Sequence, residues 1–314
     1  MMKKLLLSSA VFSAMLTAPS VYAVDIAGTD VDVYGSLRVM LERGYDGDDT
    51  EFKDAASRVG IKASRDLGEG LTAFAKYEVA LNLDSDADTV GDLRLGHLGL
   101  TDESLGTVAL GKVDSAFYEA VGVTADYLWW NTAPVYYTLD GGLRVSESVY
   151  YASPDLNGFK FKALLQVDDS EPNNGDQVEY GVNYTIGNVT LGAAYTDTVD
   201  DTATGSVAEN DISGVSAAYS GDGFYVNGAY INKENVGSGI DAILGIPSGK
   251  NLYTLGVSDF NGDKGTADFT ALILAYQRSL HDSVLVWAEL MAWDGTLYGT
   301  TDSNVLNLGM NFNF

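Results

Sequence analysis

Strict alternation of polar and apolar residues leaves few folds open to this chain. In the run 177–185, Val178, Tyr180, Val182 and Tyr184 form an apolar row, and the residues between them are polar or glycine. A period of two is that of a β-strand with one apolar face. Sixteen such runs, separated by Gly, Asp and Asn, predict an all-β protein. The predicted strands cover residues 31–43, 55–66, 71–83, 92–101, 107–112, 144–153, 159–167, 177–185, 188–196, 211–220, 224–232, 239–246, 252–260, 268–278, 284–293 and 303–314.

Short turns alternate with longer acidic loops between these runs, which predicts an up-and-down antiparallel barrel. The run 239–246 is weak, and we include it because single-chain bacterial barrels have an even number of strands. Sixteen strands enclose a lumen too wide for side chains to fill. Water in the lumen then takes the polar rows, so the apolar rows face lipid. The pattern therefore predicts a transmembrane barrel rather than a soluble one.

The two ends of the chain agree with this interpretation. Lys3 and Lys4 precede the apolar segment 5–16, which leads into a small-x-small motif. This pattern is typical of an export signal, and the apolar segment is shorter than the roughly 20 residues of a membrane-spanning helix. We predict a signal peptide at 1–23 and one barrel domain at 24–314. The last predicted strand ends on an apolar row and must pair with the first strand to remove the sheet edges.

Composition excludes several classes of site and partner. The chain has no cysteine, which rules out disulfides and thiolate metal sites, and its two histidines argue against a histidine metal centre. A net charge of −26 argues against nucleic acid as a partner. His97 and His281 stand in no motif with a serine or acidic partner, which argues against an outer-membrane protease or phospholipase. We predict no enzyme activity, no cofactor and no metal.

The interval 113–143 is the longest without clear alternation. It contains seven aromatic residues and no Lys or Arg. A loop this long is usually functional or disordered, and its aromatic content argues against disorder. We predict that it folds into the lumen and narrows the pore. Its acids, the predicted constriction-loop residues, are Asp114, Glu119, Asp126 and Asp140.

The basic residues suggest an opposing wall. Of seven arginines, only Arg278 follows residue 144. Basic side chains on the early strands would face an acidic loop, and opposed charges across a narrow aqueous gap make a transverse field that sets ion preference. The alternative is that these charges are scattered and solvated. The predicted wall residues are Arg38, Arg58, Lys62, Lys76, Arg94 and Arg144.

Five short segments follow one another along the chain: Val31-Asp32-Val33-Tyr34-Gly35, Ser57-Arg58-Val59-Gly60-Ile61-Lys62, Gly106-Thr107-Val108-Ala109-Leu110-Gly111-Lys112, Ser153-Pro154-Asp155-Leu156-Asn157-Gly158-Phe159 and Asn311-Phe312-Asn313-Phe314. In this order they resemble the general porins of Gram-negative outer membranes. The resemblance implies a sixteen-stranded trimeric barrel whose third extracellular loop folds inward opposite a basic cluster. Arg58, Arg94 and Arg144 match the family's wall arginines, and Arg38 lies near its lysine position. Asp126 and Glu119 match acids of the constriction loop, although that loop lacks the enteric Pro-Glu-Phe-Gly-Gly.

The predicted function is passive diffusion of ions and small hydrophilic solutes across the outer membrane of a Gram-negative bacterium. The overall negative charge predicts a preference for cations. The alternative is a channel specific for sugars or oligosaccharides, in which Trp129 and Trp130 form a stacking track, unless these rings only pack the loop against the wall. Expected partners are further copies of the chain in a trimer, outer-membrane lipid, lipopolysaccharide and small hydrophilic solutes, and not nucleic acid.

Overall fold

The structure is a computed structural model. The predicted signal peptide lies outside the described residues except for Ala23, and Asp140 also lies outside them. Ala23 begins a short strand, Ala23–Asp25, that pairs with Asp30–Asp32. The described residues are 23–25, 28–44, 49–139, 142–167, 177–198, 210–263 and 265–314.

Sixteen antiparallel strands form one closed wall, as the sequence predicted. The sheet contains eighteen hydrogen-bonded segments, because β2 is broken in two and Ala23–Asp25 lies beside β1. The strands are β1 Asp30–Gly44, β2 Thr50–Asp54 with Arg58–Gly68, β3 Leu71–Leu81, β4 Val90–Asp102, β5 Gly106–Asp114, β6 Arg144–Ala152, β7 Phe159–Gln166, β8 Gln177–Ile186, β9 Val189–Thr198, β10 Ile212–Ser220, β11 Tyr225–Lys233, β12 Gly237–Ser248, β13 Asn251–Gly262, β14 Phe269–His281, β15 Val284–Leu297 and β16 Thr300–Asn313.

Each strand pairs with the next, and β16 pairs with β1 to close the barrel. The weak run predicted at 239–246 is a full strand, β12, which is paired along both sides. It continues past the predicted end through Pro247, which opposes Leu252 beside the turn, where a missing N–H donor disturbs the ladder least. The start of β2 was predicted too late. Thr50–Asp54 pairs with β1 on the far side of an interruption that hides the alternation.

The outer faces of the strands are apolar, as the alternation predicted, and the inner faces carry polar rows together with the apolar side chains that the loop covers. In β16, the side chain of Leu308 is 48% exposed, whereas that of Asn307 is fully buried. In β8, Tyr180 is exposed and Glu179 is buried. Apolar side chains outside and polar side chains inside are the arrangement of a barrel that meets lipid and encloses water. Among the described residues, no helix is long and apolar enough to cross a bilayer.

The segment between β5 and β6 packs against the inward rows. It forms α1 (Ala116–Ala120), a 3₁₀ turn (Gly122–Thr124) and α2 (Pro134–Leu139). Its buried Phe117, Val135 and Tyr136 share an apolar cluster with inward side chains of β11, β13 and β15. The interval without alternation is therefore a folded loop inside the wall.

Glycines let α1 approach the wall closely. A Cβ atom at Gly181 in β8 would lie 2.6 Å from the carbonyl oxygen of Ala116. A Cβ atom at Gly192 in β9 would collide with the carbonyl oxygen of Ala120. The backbone of α1 thus occupies the space that two side chains would otherwise fill.

Replacing Leu308 with arginine is expected to destabilise the barrel by about 2–4 kcal/mol, because a charge there would face hydrocarbon. Reversible unfolding from a bilayer in urea or guanidinium measures the free energy. Leu308→Ile is the matched control, since it retains an apolar side chain of the same volume. Equal stability of the two variants would contradict the outward, lipid-facing assignment of this row.

Candidate functional site

Three strands bring charged side chains together around the Glu78 carboxylate. Arg94 Nε donates to Glu78 Oε1 at 2.8 Å, and Arg58 Nε lies 4.0 Å from the same oxygen. Tyr34 Oη donates to Glu78 Oε2 at 2.9 Å. Glu78 is buried and holds the two guanidinium groups side by side. Glu78 was not among the predicted site residues, although it shares the inward row of β3 with Lys76, which is the signal that would have found it.

Arg38 is held by neutral groups. Its Nε donates to Ser36 Oγ at 2.8 Å, and Ser36 Oγ donates to Asn311 Oδ1 at 2.6 Å. The guanidinium carbon lies 4.7 Å from the centroid of a Trp129 ring, which is a cation–π contact with the loop. Arg38 therefore connects the first strand to the loop, and none of the groups in these three contacts is a carboxylate.

The remaining predicted wall residues lie on the same side of the lumen. Lys62 Nζ and Lys76 Nζ lie 4.6 Å and 5.8 Å from the Tyr34 ring centroid. Arg144 Nε lies 3.5 Å from Asp114 Oδ1. All six predicted wall residues, together with Asp114 and Asp126, line one lumenal cavity of about 720 Å³. The early strands and the loop thus enclose a cavity with charged side chains on both sides.

Asp126 is the acid that the loop presents at this cavity. Its Oδ2 accepts a hydrogen bond from Tyr118 Oη at 2.6 Å and lies 3.5 Å from Tyr137 Oη. Burial raises the pKa of the Asp126 carboxyl, although its hydrogen bonds oppose the shift. Burial and the nearby Asp126 carboxylate also hold the pKa of Tyr118 well above its usual range.

The other predicted loop acids have different places. Asp114 ends β5 beside Arg144. Glu119 does not line the cavity; its Oε2 accepts from Tyr150 Oη at 2.6 Å and lies 3.2 Å from Lys162 Nζ. Asp140 is outside the described residues.

Glu289 of β15 fastens the middle of the loop. Its Oε1 accepts the backbone N–H of Trp129 at 2.6 Å, and its Oε2 accepts those of Trp130 and Asn131 at 3.1 and 2.9 Å. The Glu289 side chain is almost completely buried. Hydrogen bonds to an ionised acceptor are the stronger kind, and here they satisfy three consecutive donors that no regular structure pairs.

Two further buried carboxylates fasten the loop ends. Glu179 Oε2 accepts from Ser115 Oγ at 2.8 Å and from the Phe117 N–H at 3.2 Å. Asp241 accepts the N–H groups of Val135 and Tyr136 at 3.1 and 3.0 Å. The sequence did not predict this role for these acids. Alternation shows which face of a strand a residue occupies, but not its partner across the lumen.

The two tryptophans of the loop differ in their surroundings. Trp129 stacks on Trp287 with ring centroids 5.3 Å apart, and its Nε1 donates to Gln277 Oε1 at 2.7 Å. Trp130 is 40% exposed and lines the cavity. One ring packs the loop against the wall, and the other residue is partly exposed at the cavity.

Comparison with known proteins shows which proteins the chain is similar to. The family model described as Gram-negative porin matches residues 10–296. The chain is 33% identical over 183 residues to the major outer membrane protein of Pasteurella multocida, an alignment that covers 51% of this chain and 49% of that protein. It is 25% identical over 237 residues to a monosaccharide porin of Halomonas sp, covering 64% of this chain and 60% of that protein. The chain spans about half the length of the first curated relatives it matches.

A solved structure has the same fold. The anion-selective porin from Comamonas acidovorans superposes with a TM-score of 0.77 at 17% sequence identity. The superposition covers 91% of this chain and 100% of the other. At this identity, the likeness concerns the fold of the barrel.

Replacing Glu289 with glutamine is expected to loosen the loop, because the amide turns an NH₂ group toward backbone donors. We expect a loss of about 1–3 kcal/mol in stability and larger fluctuations of the open-channel current. Thermal unfolding and single-channel recording measure the two effects. Glu234→Gln is the control, since Glu234 is exposed in the turn before β12. Unchanged stability and noise in Glu289→Gln would contradict the anchoring role.

Proposed function

The chain belongs to the Gram-negative porin family, and we propose that it forms a channel for passive diffusion of ions and small hydrophilic solutes. It is a multi-pass β-barrel protein of the Gram-negative outer membrane. The observation that carries the proposal is the lumenal cavity of about 720 Å³, which eleven charged side chains line inside a wall whose outside is apolar. Such a passage admits hydrated solutes and offers little to apolar ones.

The proposed constriction lies between Asp126 on the loop and Arg38, Arg58 and Arg94 on the wall. Opposed charges across a narrow gap align water dipoles, so an apolar solute must disturb this order in order to pass. Glu78 sits among the arginines and neutralises part of their charge, whereas Arg38 contacts Ser36 and the Trp129 ring. Arg38 and Asp126 are therefore the residues with the largest expected influence on passing ions.

The ion preference depends on which charges the ions meet. The net charge of the whole chain favours cations, but charges farther away than the Debye length of about 8 Å are largely screened at physiological ionic strength. Among the described residues that line the cavity, seven are basic and four are acidic. This lining supports anion preference at the constriction, the opposite of the sign expected from the whole-chain charge, and the proposal follows the lining. The basic residues are Arg38, Lys53, Arg58, Lys62, Lys76, Arg94 and Arg144, and the acidic ones are Glu42, Glu78, Asp114 and Asp126.

A sugar-specific channel is the second candidate. One relative is named a monosaccharide porin, and the partly exposed Trp130 at the cavity offers a surface on which a sugar ring would stack. Trp129, in contrast, is engaged by Trp287, Gln277 and Arg38. A single partly exposed residue is not a stacking track, so general diffusion has the stronger support.

A catalytic role has no comparable support. His97 Nδ1 lies 3.0 Å from the carbonyl oxygen of Lys112, and His281 Nδ1 accepts from the Ser283 N–H at 3.3 Å. Each histidine is engaged by backbone groups, whereas a hydrolase of the triad type needs a histidine between a nucleophile and a carboxylate.

The proposed partners are further copies of the chain, lipid and lipopolysaccharide. The exposed apolar rows fit contact with lipid and with other copies, and the family resemblance implies a trimer. Export would remove residues 1–23. Single-channel recordings with conductance steps in groups of three would support the trimer.

Ion selectivity is the first test. In a salt gradient across a planar bilayer, we expect the reversal potential to show anion preference. Arg58→Gln is expected to lower the permeability ratio of anion to cation severalfold, because one charge about 5 Å from an ion is worth about 1 kcal/mol in water. Arg65→Gln is the control, since Arg65 is exposed on the opposite row of the same strand. Cation preference in the wild type, or equal ratios in the two variants, would contradict the proposed wall.

Solute size is the second test. Liposome swelling rates that fall with solute size alone, whatever the solute, are expected of a general channel. Competitive block of the ion current by one monosaccharide, lost in Trp130→Ala, would instead establish the sugar-specific channel.

Acidification from neutral pH is expected to increase anion preference. Because its pKa is raised, the Asp126 carboxyl takes up a proton at a higher pH than an exposed aspartate, whose pKa is about 3.9. Its negative charge is present above the raised pKa and is lost as the pH falls through it. Reversal potentials over a pH series measure the change. The change of anion preference with pH should be smaller in Asp126→Asn. The same change in that variant as in the wild type would contradict the role of Asp126 as the titrating group.

A further inference from the structure

The pairing of β1 with β2 shifts its register beside Arg38. Ser36 opposes Arg58, but the next pair is Val39 with Asp54. Three residues of β2 therefore face two residues of β1, which is a β-bulge. Ala56, in the middle of the bulge, has a φ of +69°, a conformation that costs a residue with a side chain about 1–2 kcal/mol. This strained interruption lies at the level of the proposed constriction.

Ser57 replaces the missing backbone partner of Arg38. Its hydroxyl oxygen accepts the Arg38 N–H at 2.8 Å and donates to the Arg38 carbonyl at 3.0 Å. The Ala55 N–H also donates to this carbonyl, at 3.0 Å, and the Ser57 N–H donates to Asp54 Oδ1 at 2.8 Å. Ser57 is completely buried. One hydroxyl thus holds both backbone groups of an arginine that lines the pore.

Bulges also lie beside two other wall arginines. Between β3 and β4, Glu78 opposes Leu95 and Val79 opposes Leu93, so Arg94 is the extra residue. Between β5 and β6, the register shifts just after Arg144, within the segment Val145–Ser148.

The other side of the barrel is regular. In the described part of the chain, strands β6 to β14 pair without a register shift. Among the described residues, the remaining shifts lie at the ends of their pairs: Asp66/Gly68 between β2 and β3, Val79/Leu81 between β3 and β4, Ser279/His281 between β14 and β15, and Trp293/Thr296 between β15 and β16. Bulges in the middle of a pair therefore occur where the basic wall is.

A bulge has a geometric use at such a place. In a regular strand, inward side chains project at a fixed spacing of about 7 Å along the strand, and neighbouring strands are offset by the shear of the barrel. An extra residue bends the strand and re-aims a side chain. Guanidinium groups from separate strands can then meet around one carboxylate, as Arg58 and Arg94 do at Glu78.

We propose that Ser57 is a positioning residue for Arg38: its hydroxyl fixes the backbone of Arg38 at the bulge, so that the guanidinium lies between Ser36 and the Trp129 ring. Ser57 thereby sets the ion preference of the channel although it does not line the cavity. This inference rests on the proposed function of the basic wall. A purely structural Ser57 would affect stability and leave ion preference unchanged.

The test is a double-mutant cycle on the reversal potential with Ser57→Ala, Arg38→Gln and the double variant. We expect Ser57→Ala to shift the permeability ratio in the same direction as Arg38→Gln, by at least half as much on a logarithmic scale. In the Arg38→Gln background, Ser57→Ala should add nothing, because the side chain it positions is gone. Single-channel recording reports only on folded, inserted molecules, so a lower folding yield does not confound the result.

Three further variants complete the test. Ser57→Thr keeps the hydroxyl and should retain the wild-type ratio. Ser57→Cys keeps the volume but weakens both hydrogen bonds, so it should shift the ratio even if Ser57→Ala fails to insert. Ser64→Ala, on the row of β2 that carries Arg58 but away from the bulge, should have no effect.

The outcomes separate the two proposals. If Ser57→Ala and Ser57→Cys had the wild-type permeability ratio while Arg38→Gln shifted it as expected, only the positioning role of Ser57 would be overturned. Full additivity in the double variant would also overturn it. If Arg38→Gln left the permeability ratio unchanged, the basic wall would have no part in ion preference, and the proposed function would lose that element.

Discussion

Hydrocarbon offers no hydrogen bonds, so every backbone N–H and C=O of a chain in the membrane needs a partner within the protein. This protein meets the requirement by pairing its last strand with its first, from Val305 opposite Gly44 to Asn313 opposite Ser36. Closure fixes the strands' register and hence the direction of every side chain. The lumen, its charged rows and the space that the loop occupies all follow from that one seam.

Within this frame, three buried wall carboxylates determine the position of the loop. Glu179, Asp241 and Glu289 accept N–H groups at the beginning, end and middle of the segment. The loop has little regular structure of its own, so these bonds satisfy donors that would otherwise be unpaired. Part of the chain's negative charge is therefore structural, which is a reason not to infer ion preference from net charge.

The sequence was sufficient to predict what depends on periodicity. The barrel, the strand count and the lipid-facing rows follow from alternation, and even the weak strand around Ile243 follows from parity. The wall arginines were predicted from their clustering up to residue 144, and Arg38, Arg58, Arg94 and Arg144 all line the cavity. Glu78 and Glu289 were missed as functional residues because their roles depend on partners from distant strands or on the loop. Ser57 was missed because a bulge breaks the alternation and leaves no sequence signal for the bond to Arg38.

Gly181 and Gly192 have a consequence for the width of the lumen. A loop folded inside a tube takes its thickness away from the free cross-section. Because the wall is bare at these two positions, α1 sinks into it by about the depth of a methyl group. Larger residues there would push the whole segment toward the axis. In the channel we propose, the size cut-off for solutes is therefore partly set from behind the loop, by atoms that no solute touches.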